Sequence, residues 1–129
     1  MPQFKFRGVV EGFYGKPWTH QNRLDAINYF KEFNFNTYVI APKNDRNQRL
    51  KWRELLSGKK LEALRELISA GERNNIAVSE SVSPGHSVVY SSQIDRDFIV
   101  ARFQQQLNLG AKHLFLLWDD IDWELTNQA

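Results

Sequence analysis

Four short apolar runs rich in β-branched residues alternate along the chain with three amphipathic stretches, and this order constrains the fold more than any other feature. The runs begin near residues 6, 36, 76 and 113. Strands that are apolar almost throughout are typical of parallel sheets buried on both faces, and parallel strands need a long crossover, usually a helix, between them. The sequence therefore predicts an α/β fold, a parallel sheet covered by helices.

Each predicted helix carries start or stop signals. Thr19 is placed to cap the first helix, Ser57 precedes the second, and Gly110 follows the third where a left-handed cap residue belongs. The predicted buried stripes are Leu24, Ile27, Phe30 and Phe33 in the first, Leu61, Leu64, Ile68 and Gly71 in the second, and Ile99, Phe103 and Leu107 in the third. No Pro/Gly/Ser-rich linker divides the chain, so we predict one domain over residues 1–129.

The composition excludes several classes of function. There is no cysteine, which rules out disulfides, thiolate catalysis and cysteine-bound zinc. A net charge of +2 is too small to indicate nucleic-acid binding, and no apolar stretch is long enough to span a membrane. The N-terminus lacks the apolar run of a signal peptide, so the default expectation is a cytoplasmic protein; a secreted protein that had lost its signal would look the same. We expect no cofactor and no metal.

Chemically capable residues cluster at the ends of the predicted strands. Ligands of parallel α/β proteins bind at this carboxyl edge of the sheet, and the loops 42–57 and 83–93 that leave it are long. The fourth strand ends in Asp119 and Asp120, whose mutual repulsion should drive their proton affinities apart, as acid–base chemistry requires. Neighbours on a strand point to opposite faces, so both reach one ligand only if the strand ends or bulges at Asp119. Capping of a following helix is the alternative interpretation.

The second strand ends in Lys43, which can donate to a hydroxyl or carboxylate or be merely solvated. A basic run around Trp52 follows it, comprising Arg46, Arg49, Lys51 and Arg53. Interleaved basic and aromatic residues can bind nucleic acid, but a solvated loop anchored by its tryptophan is the commoner structure. His86 follows the third strand with no metal-ligand spacing to His20 or His113, and a loop histidine of this kind is usually a surface residue.

Four strand-end segments, taken together, resemble a known family. The segments GVVEGFYGKPWTHQNRLD, NTYVIAPKNDRNQRLKWRE, SVSPG and LFLLWDDID are similar to the N-terminal half of the catalytic domain of glycoside hydrolase family 84, the β-N-acetylglucosaminidases that include O-GlcNAcases and bacterial hyaluronidase-like proteins. The similarity runs from about Phe6 to Asp122. It implies a (β/α)8 TIM-type barrel of which this chain carries about the first four βα units.

The resemblance also implies a reaction and its residues. The family removes terminal β-linked N-acetylglucosamine from glycans or glycoproteins by a retaining, substrate-assisted mechanism in which the 2-acetamido oxygen forms an oxazoline. Asp119 would polarise the acetamido N–H, and Asp120 would be the general acid and then the base. Gly12 would contact the sugar through its backbone, Lys43 through its ammonium group, and Tyr14 would shape the pocket wall together with Glu11 and Phe13. A non-hydrolytic relic with weak amino-sugar binding is the alternative.

The sequence departs from the family pattern in two places and in length. Asn44 stands where a second acid is usual, and His86-Ser87 replaces an apolar residue and an acid. Both changes are expected to tune substrate fit. Four βα units leave two unpaired strand edges. We therefore expect a homo-oligomer, an open flavodoxin-like sheet, or a missing C-terminal half of the barrel, and of these we favour self-association.

Overall fold

The computed structural model of the protein describes residues 4–122 and 124, and its centre is a parallel sheet of four strands in the order β1-β2-β3-β4. The strands are β1 (Gly8–Glu11), β2 (Thr37–Ile40), β3 (Ala77–Val82) and β4 (Phe115–Leu116). The helices are α1 (His20–Glu32), α2 (Arg46–Arg49), α3 (Gly58–Arg73) and α4 (Gln93–Asn108). The predicted α/β class is confirmed, whereas the domain limits at residues 1 and 129 lie outside the described residues.

The register of the sheet decides which side chains meet the helices. Glu11 pairs with Ile40, and Ile40 pairs with Glu80, so these three positions lie on the same face of the sheet. Tyr38, Ile40 and Val78 form one buried cluster with side chains of α1 and α3. Full burial of an aliphatic side chain of this kind contributes about 1.5–3 kcal/mol. The acids Glu11 and Glu80 therefore point into the layer between sheet and helices.

The first helix begins as predicted, but its buried apolar stripe ends earlier than predicted. Thr19 and Asn22 form a reciprocal capping box at its start. Ile27 and Phe30 are buried, whereas Phe33 is 55% exposed, so its predicted place in the core is wrong. Phe33 is the C-cap residue and its backbone has left the helical conformation, which turns its side chain off the stripe.

The other two predicted helices are also present, and the third ends at Gly110 as predicted. Asn75 and Gly110 both adopt positive φ, +58° and +100°, and close α3 and α4. Gly71 is required by packing, because a Cβ there would lie 2.4 Å from a Val78 methyl and 2.5 Å from the Ile76 carbonyl. The four-residue α2, which lies inside the predicted loop 42–57, was not predicted.

The buried face of α4 is polar rather than apolar. Ile99 and Phe103 pack against the cluster around Trp52, but Leu107 is 44% exposed, and its predicted burial is wrong. Residues at strict fourfold spacing drift about 40° around a helix at each step, which carries Leu107 off the buried face. The most buried residues of α4 are Asp95, Arg102 and Gln106.

Two of these residues, Arg102 and Gln106, bind the sheet at Glu80. The Gln106 amide accepts from the Glu80 N–H at 2.9 Å and donates to the Glu80 carbonyl at 2.8 Å. Arg102 donates to the Glu80 carboxylate at 3.0 Å. Burial raises the pKa of the Glu80 carboxyl to about 7, and the Arg102 guanidinium opposes that shift.

Among the residues described, no helix has the length and apolar character needed to cross a membrane.

The raised pKa of Glu80 gives stability a pH dependence that can be measured. Between the ordinary carboxyl value of 4.5 and about 7 the folded state holds a proton that the unfolded chain has released, so the free energy of unfolding should fall as the pH rises through this window. In Glu80→Gln that slope should largely disappear, because the amide still accepts from Arg102 and does not titrate. Urea denaturation across the window measures both slopes; equal slopes would contradict the assignment.

Candidate active site

The loops that leave the carboxyl ends of the four strands meet in one cluster of polar side chains. The members are Tyr14 after β1, Lys43 and Arg49 after β2, His86 after β3, and Asp119 and Asp120 after β4. Tyr14 and Asp120 are 106 positions apart in the sequence and are joined by a hydrogen bond. The convergence follows from the parallel topology, which places all four strand ends at the same edge.

Backbone hydrogen bonds beyond the strands fix the first two loops to each other. Ala41 N–H donates to the Glu11 carbonyl at 3.1 Å, and Lys43 N–H donates to the Phe13 carbonyl at 3.0 Å. These two bonds continue the ladder of β1 and β2 past the last strand residues. The backbone of Lys43 is therefore fixed relative to the end of β1 and to the loop that carries Tyr14.

A buried carboxylate holds the base of the first loop. Glu11 is 1% exposed and accepts from the Arg23 guanidinium at 2.8 and 2.9 Å, from the Tyr38 hydroxyl at 2.7 Å and from the Trp18 N–H at 3.1 Å. Burial and the hydrogen bond to Glu11 raise the pKa of Tyr38, which keeps this phenol a donor. Glu11 thus supports the loop from below and takes no part in the cluster itself.

Lys43 brings the two adjacent aspartates to one point. Its ammonium nitrogen contacts the Asp119 carboxylate directly and lies 3.6 Å from Oδ2 of Asp120. β4 ends at Leu116, and Asp120 has a left-handed backbone with φ of +60°, so the alternation of a strand no longer separates the two side chains. No helix begins among residues 119–122, and the alternative of a helix cap therefore has no support within the described part of the chain.

Asp120 collects donors from two loops. Tyr14 OH donates to its Oδ2 at 2.5 Å, and Arg49 Nη2 donates to the same oxygen at 3.3 Å. The Tyr14 hydrogen bond, with the charges of Lys43 and Arg49, lowers the pKa of Asp120 below its ordinary 3.8. The largest influence on Asp120 is thus hydrogen bonding to its ionised form, not the repulsion from Asp119 that the sequence suggested.

The third and fourth loops pack directly on each other. A Cβ at Gly85 would lie 2.2 Å from the Ile121 side chain, so only glycine allows the two loops to come this close. The rings of Tyr90 and Trp118 are 5.7 Å apart. The segment that carries both aspartates is therefore held by the loop after β3.

Arg49 and His86 belong to the site although the sequence did not assign them to it. Arg49 Nη2 lies 2.6 Å from Nε2 of His86, and only 13% of the Arg49 side chain is exposed. Both residues line an open cavity of about 460 Å³ next to Lys43. In the sequence Arg49 is one member of a basic run. Its hydrogen bond to Asp120, 71 positions later in the chain, distinguishes it from the other members.

Trp52 and Arg53, in the same basic run, have a structural role. Trp52 is fully buried, as the anchored-loop interpretation predicted, and its indole N–H donates to Ser87 at 2.9 Å. Arg53 stacks on the Trp52 ring at 4.1 Å and binds Asp95 with two hydrogen bonds of 2.7 and 2.6 Å.

Gly12, predicted to bind the sugar, is not in contact with the cluster. Its N–H already donates to the Val10 carbonyl at 2.9 Å, and a Cβ would meet only Val10, with the side chain at 3.3 Å and the carbonyl oxygen at 4.0 Å. The backbone group left for a ligand is therefore the carbonyl. The assignment of Gly12 to sugar binding stays a prediction, as do the roles of Asp119, Asp120, Lys43 and Tyr14.

Comparison with known proteins assigns the chain to a family. A family model described as NAGidase, beta-N-acetylglucosaminidase, matches residues 7–129. The chain belongs to this family. The O-GlcNAcases of rat and mouse are each 36% identical to it over 115 residues, 89% of this chain. The β-N-acetylglucosaminidase assignment confirms the resemblance to glycoside hydrolase family 84.

Solved structures of β-N-acetylglucosaminidase relatives have the same arrangement of strands and helices. A mutant O-GlcNAc hydrolase of Thermobaculum terrenum superposes with a TM-score of 0.91 at 36% identity, over 95% of this chain and 27% of that one. CpGH84B superposes with a TM-score of 0.86 at 35% identity, over 92% of this chain and 22% of that one. The chain spans only 13% of the length of the two curated relatives. Its four βα units correspond to the N-terminal half of the family barrel.

The hydrogen bond from Tyr14 can be tested by titration. Tyr14→Phe removes the donor that most strongly favours the ionised form, so the pKa of Asp120 should rise toward its ordinary 3.8. Carbon-detected NMR of the carboxyl groups measures this. Asp95 is the internal control, because its pKa is lowered by Arg53 and should not change. An unchanged pKa of Asp120, or an equal change in the pKa of Asp95, would refute the role of Tyr14.

Proposed function

We propose that the protein carries the catalytic carboxylates of a β-N-acetylglucosaminidase that removes terminal β-linked N-acetylglucosamine from glycans or glycoproteins. The observation that carries the proposal is the meeting of Asp119 and Asp120 at the ammonium group of Lys43, on the edge of the sheet where α/β proteins bind ligands. Membership of the β-N-acetylglucosaminidase family and relatives named O-GlcNAcase support the substrate class.

The proposed mechanism is retaining and uses the substrate's own acetamido group as nucleophile. Asp119 accepts from the acetamido N–H and stabilises the positive charge that develops as the oxazoline ring closes. Lys43, in contact with the Asp119 carboxylate, holds that side chain in place before the sugar arrives. Asp120 gives its proton to the leaving oxygen and later accepts one from the attacking water.

The lowered pKa of Asp120 concerns the free protein, in which the side chain is 41% exposed. A general acid must carry a proton, so substrate binding has to reverse this state. A sugar seated over Asp120 would exclude water from the carboxyl, and desolvation raises a carboxyl pKa. It would also compete with Tyr14 for the same oxygen. In this proposal the donors around Asp120 stabilise its ionised form, which acts as the base in the second step of the reaction.

The same lowered pKa favours a second candidate function, amino-sugar binding without hydrolysis. Three groups, Tyr14, Lys43 and Arg49, stabilise the ionised Asp120. If bound sugar left all three in place, the carboxylate would accept hydrogen bonds from hydroxyl groups and would donate no proton. The two functions differ in one measurable quantity, namely the dependence of turnover on Asp120.

Turnover of aryl β-N-acetylglucosaminides with leaving groups of different acidity tests the hydrolytic proposal. Asp120→Asn should slow the substrate with the poor leaving group by about 10²–10⁴-fold, because that oxygen needs a proton, and should affect an activated aryl group far less. Asp119→Asn should slow both substrates. The matched control is Asp97→Asn, an exposed carboxylate on α4 outside the cluster, with turnover as in wild type.

The substrate side supplies a further control, since an aryl β-glucoside lacks the acetamido nucleophile and should not be cleaved. Equal rates of wild type and Asp120→Asn on every substrate would refute the role of Asp120. If no turnover occurs while a stable oxazoline mimic binds, the non-hydrolytic function is the correct one.

A further inference from the structure

His86 stands out because the proposed reaction makes no use of it and yet it is tied to the site. Its Nε2 lies 2.6 Å from Arg49 Nη2, and the same Arg49 nitrogen lies 3.3 Å from Oδ2 of Asp120. One NH2 group of the guanidinium therefore bridges an imidazole on the third loop and a carboxylate on the fourth. An NH2 group carries two hydrogens, one for each acceptor.

The chemistry of the two side chains fixes the protonation of this bridge. Arginine has only donors and does not lose its proton in proteins, so at 2.6 Å Nε2 of His86 must be the acceptor. The imidazole in the bridge is therefore neutral, with its hydrogen on Nδ1. Addition of a proton to Nε2 would remove the acceptor and place two cations in contact.

We infer that His86 is a positioning residue whose neutral imidazole holds the Arg49 guanidinium against Asp120, and that proton uptake by His86 breaks this link. The inference deepens the proposed function, since Asp120 is the proposed general acid. It predicts that the surroundings of Asp120 change when His86 takes up a proton.

The other charged groups around the bridge do not supply an alternative partner for His86. Lys43, Asp45 and Arg46 line the same cavity, and among the described residues only Arg49 bonds to the imidazole. Asp45 caps α2, where its Oδ1 accepts from the N–H and the side-chain amide of Asn47. Around Asp120 the charged and titratable groups are Tyr14 on the first loop, Lys43 and Arg49 on the second, and the adjacent Asp119.

Nitrogen NMR of the histidine rings in the wild-type chain tests the bridge without any substitution. At a pH where the ring is neutral, we expect His86 in the tautomer protonated on Nδ1. Finding the hydrogen of neutral His86 on Nε2 would overturn the inference. This measurement also decides the matter if the variants below fail to fold.

A pair of variants separates the hydrogen bond from general charge effects. Arg49→Met removes the donor to Nε2 of the neutral ring, so the preference of His86 for the tautomer protonated on Nδ1 should be lost. Arg46→Met removes a cation from the same cavity without touching the ring and should leave the tautomer of His86 unchanged. His20 and His113, elsewhere in the fold, report global changes in the same spectrum. An equal change of the His86 tautomer ratio in the two variants, or no change in either, would overturn the inference.

The link to Asp120 has its own readout. His86→Gln can keep an acceptor for Arg49 that does not titrate, whereas His86→Leu removes it. We expect kcat for an aryl β-N-acetylglucosaminide with a poor leaving group to be retained in the first variant and reduced in the second, with KM little changed. Equal kcat values in both would remove the positioning role. The ring measurements need no substrate, so they stand or fall separately from the proposed hydrolysis.

Discussion

The carboxylate of Glu11 accepts four hydrogen bonds at the end of β1, in a place that water does not reach. A buried carboxylate is costly unless it is paired and fully hydrogen-bonded, so each donor is constrained by the others. The donors come from the first loop, from α1 and from β2. This single group thereby fixes where the chain leaves β1, and the positions of Tyr14 and of the neighbouring Lys43 loop follow from it.

Two further carboxyl groups are also held by guanidinium groups. Glu80 on β3 is held by Arg102, and Asp95 at the start of α4 is held by Arg53. Such pairs contribute less to stability than apolar packing of the same volume. What they add is direction. The two hydrogen bonds from Arg53 to Asp95 accept only one geometry, and Arg102 donates both to the Glu80 carboxyl and to the Glu54 carbonyl. The carboxyl edge of the sheet is therefore oriented by polar contacts, while the apolar cluster between sheet and helices supplies most of the stability.

The fold and part of the site could be predicted from the sequence because their signals are local. The capping box at Thr19, the left-handed Gly110 and the apolar strands each depend on residues close in the chain. The polar face of α4 could not be predicted, because the partners of Arg102 and Gln106, namely Glu80 and the Glu54 carbonyl, lie outside the helix. The helix α2 is a single turn, too short to leave a periodic pattern.

The same distinction separates the site residues that sequence analysis found from those it missed. Asp119, Asp120, Lys43 and Tyr14 follow strands, and the topology of parallel sheets brings strand ends together. Arg49 and His86 lie farther along their loops, where an isolated basic residue is usually solvated, and only the folded chain joins them.

If the loops after all four strands form one amino-sugar site, a stable oxazoline mimic of N-acetylglucosamine should shift amide signals in each of them, and amide NMR during titration with the mimic measures this. We expect saturable shifts of the amides near Tyr14, Lys43, His86 and Asp120, with one common affinity. Shifts confined to a single loop, shifts elsewhere on the protein, or no shifts at saturating mimic would exclude a shared site.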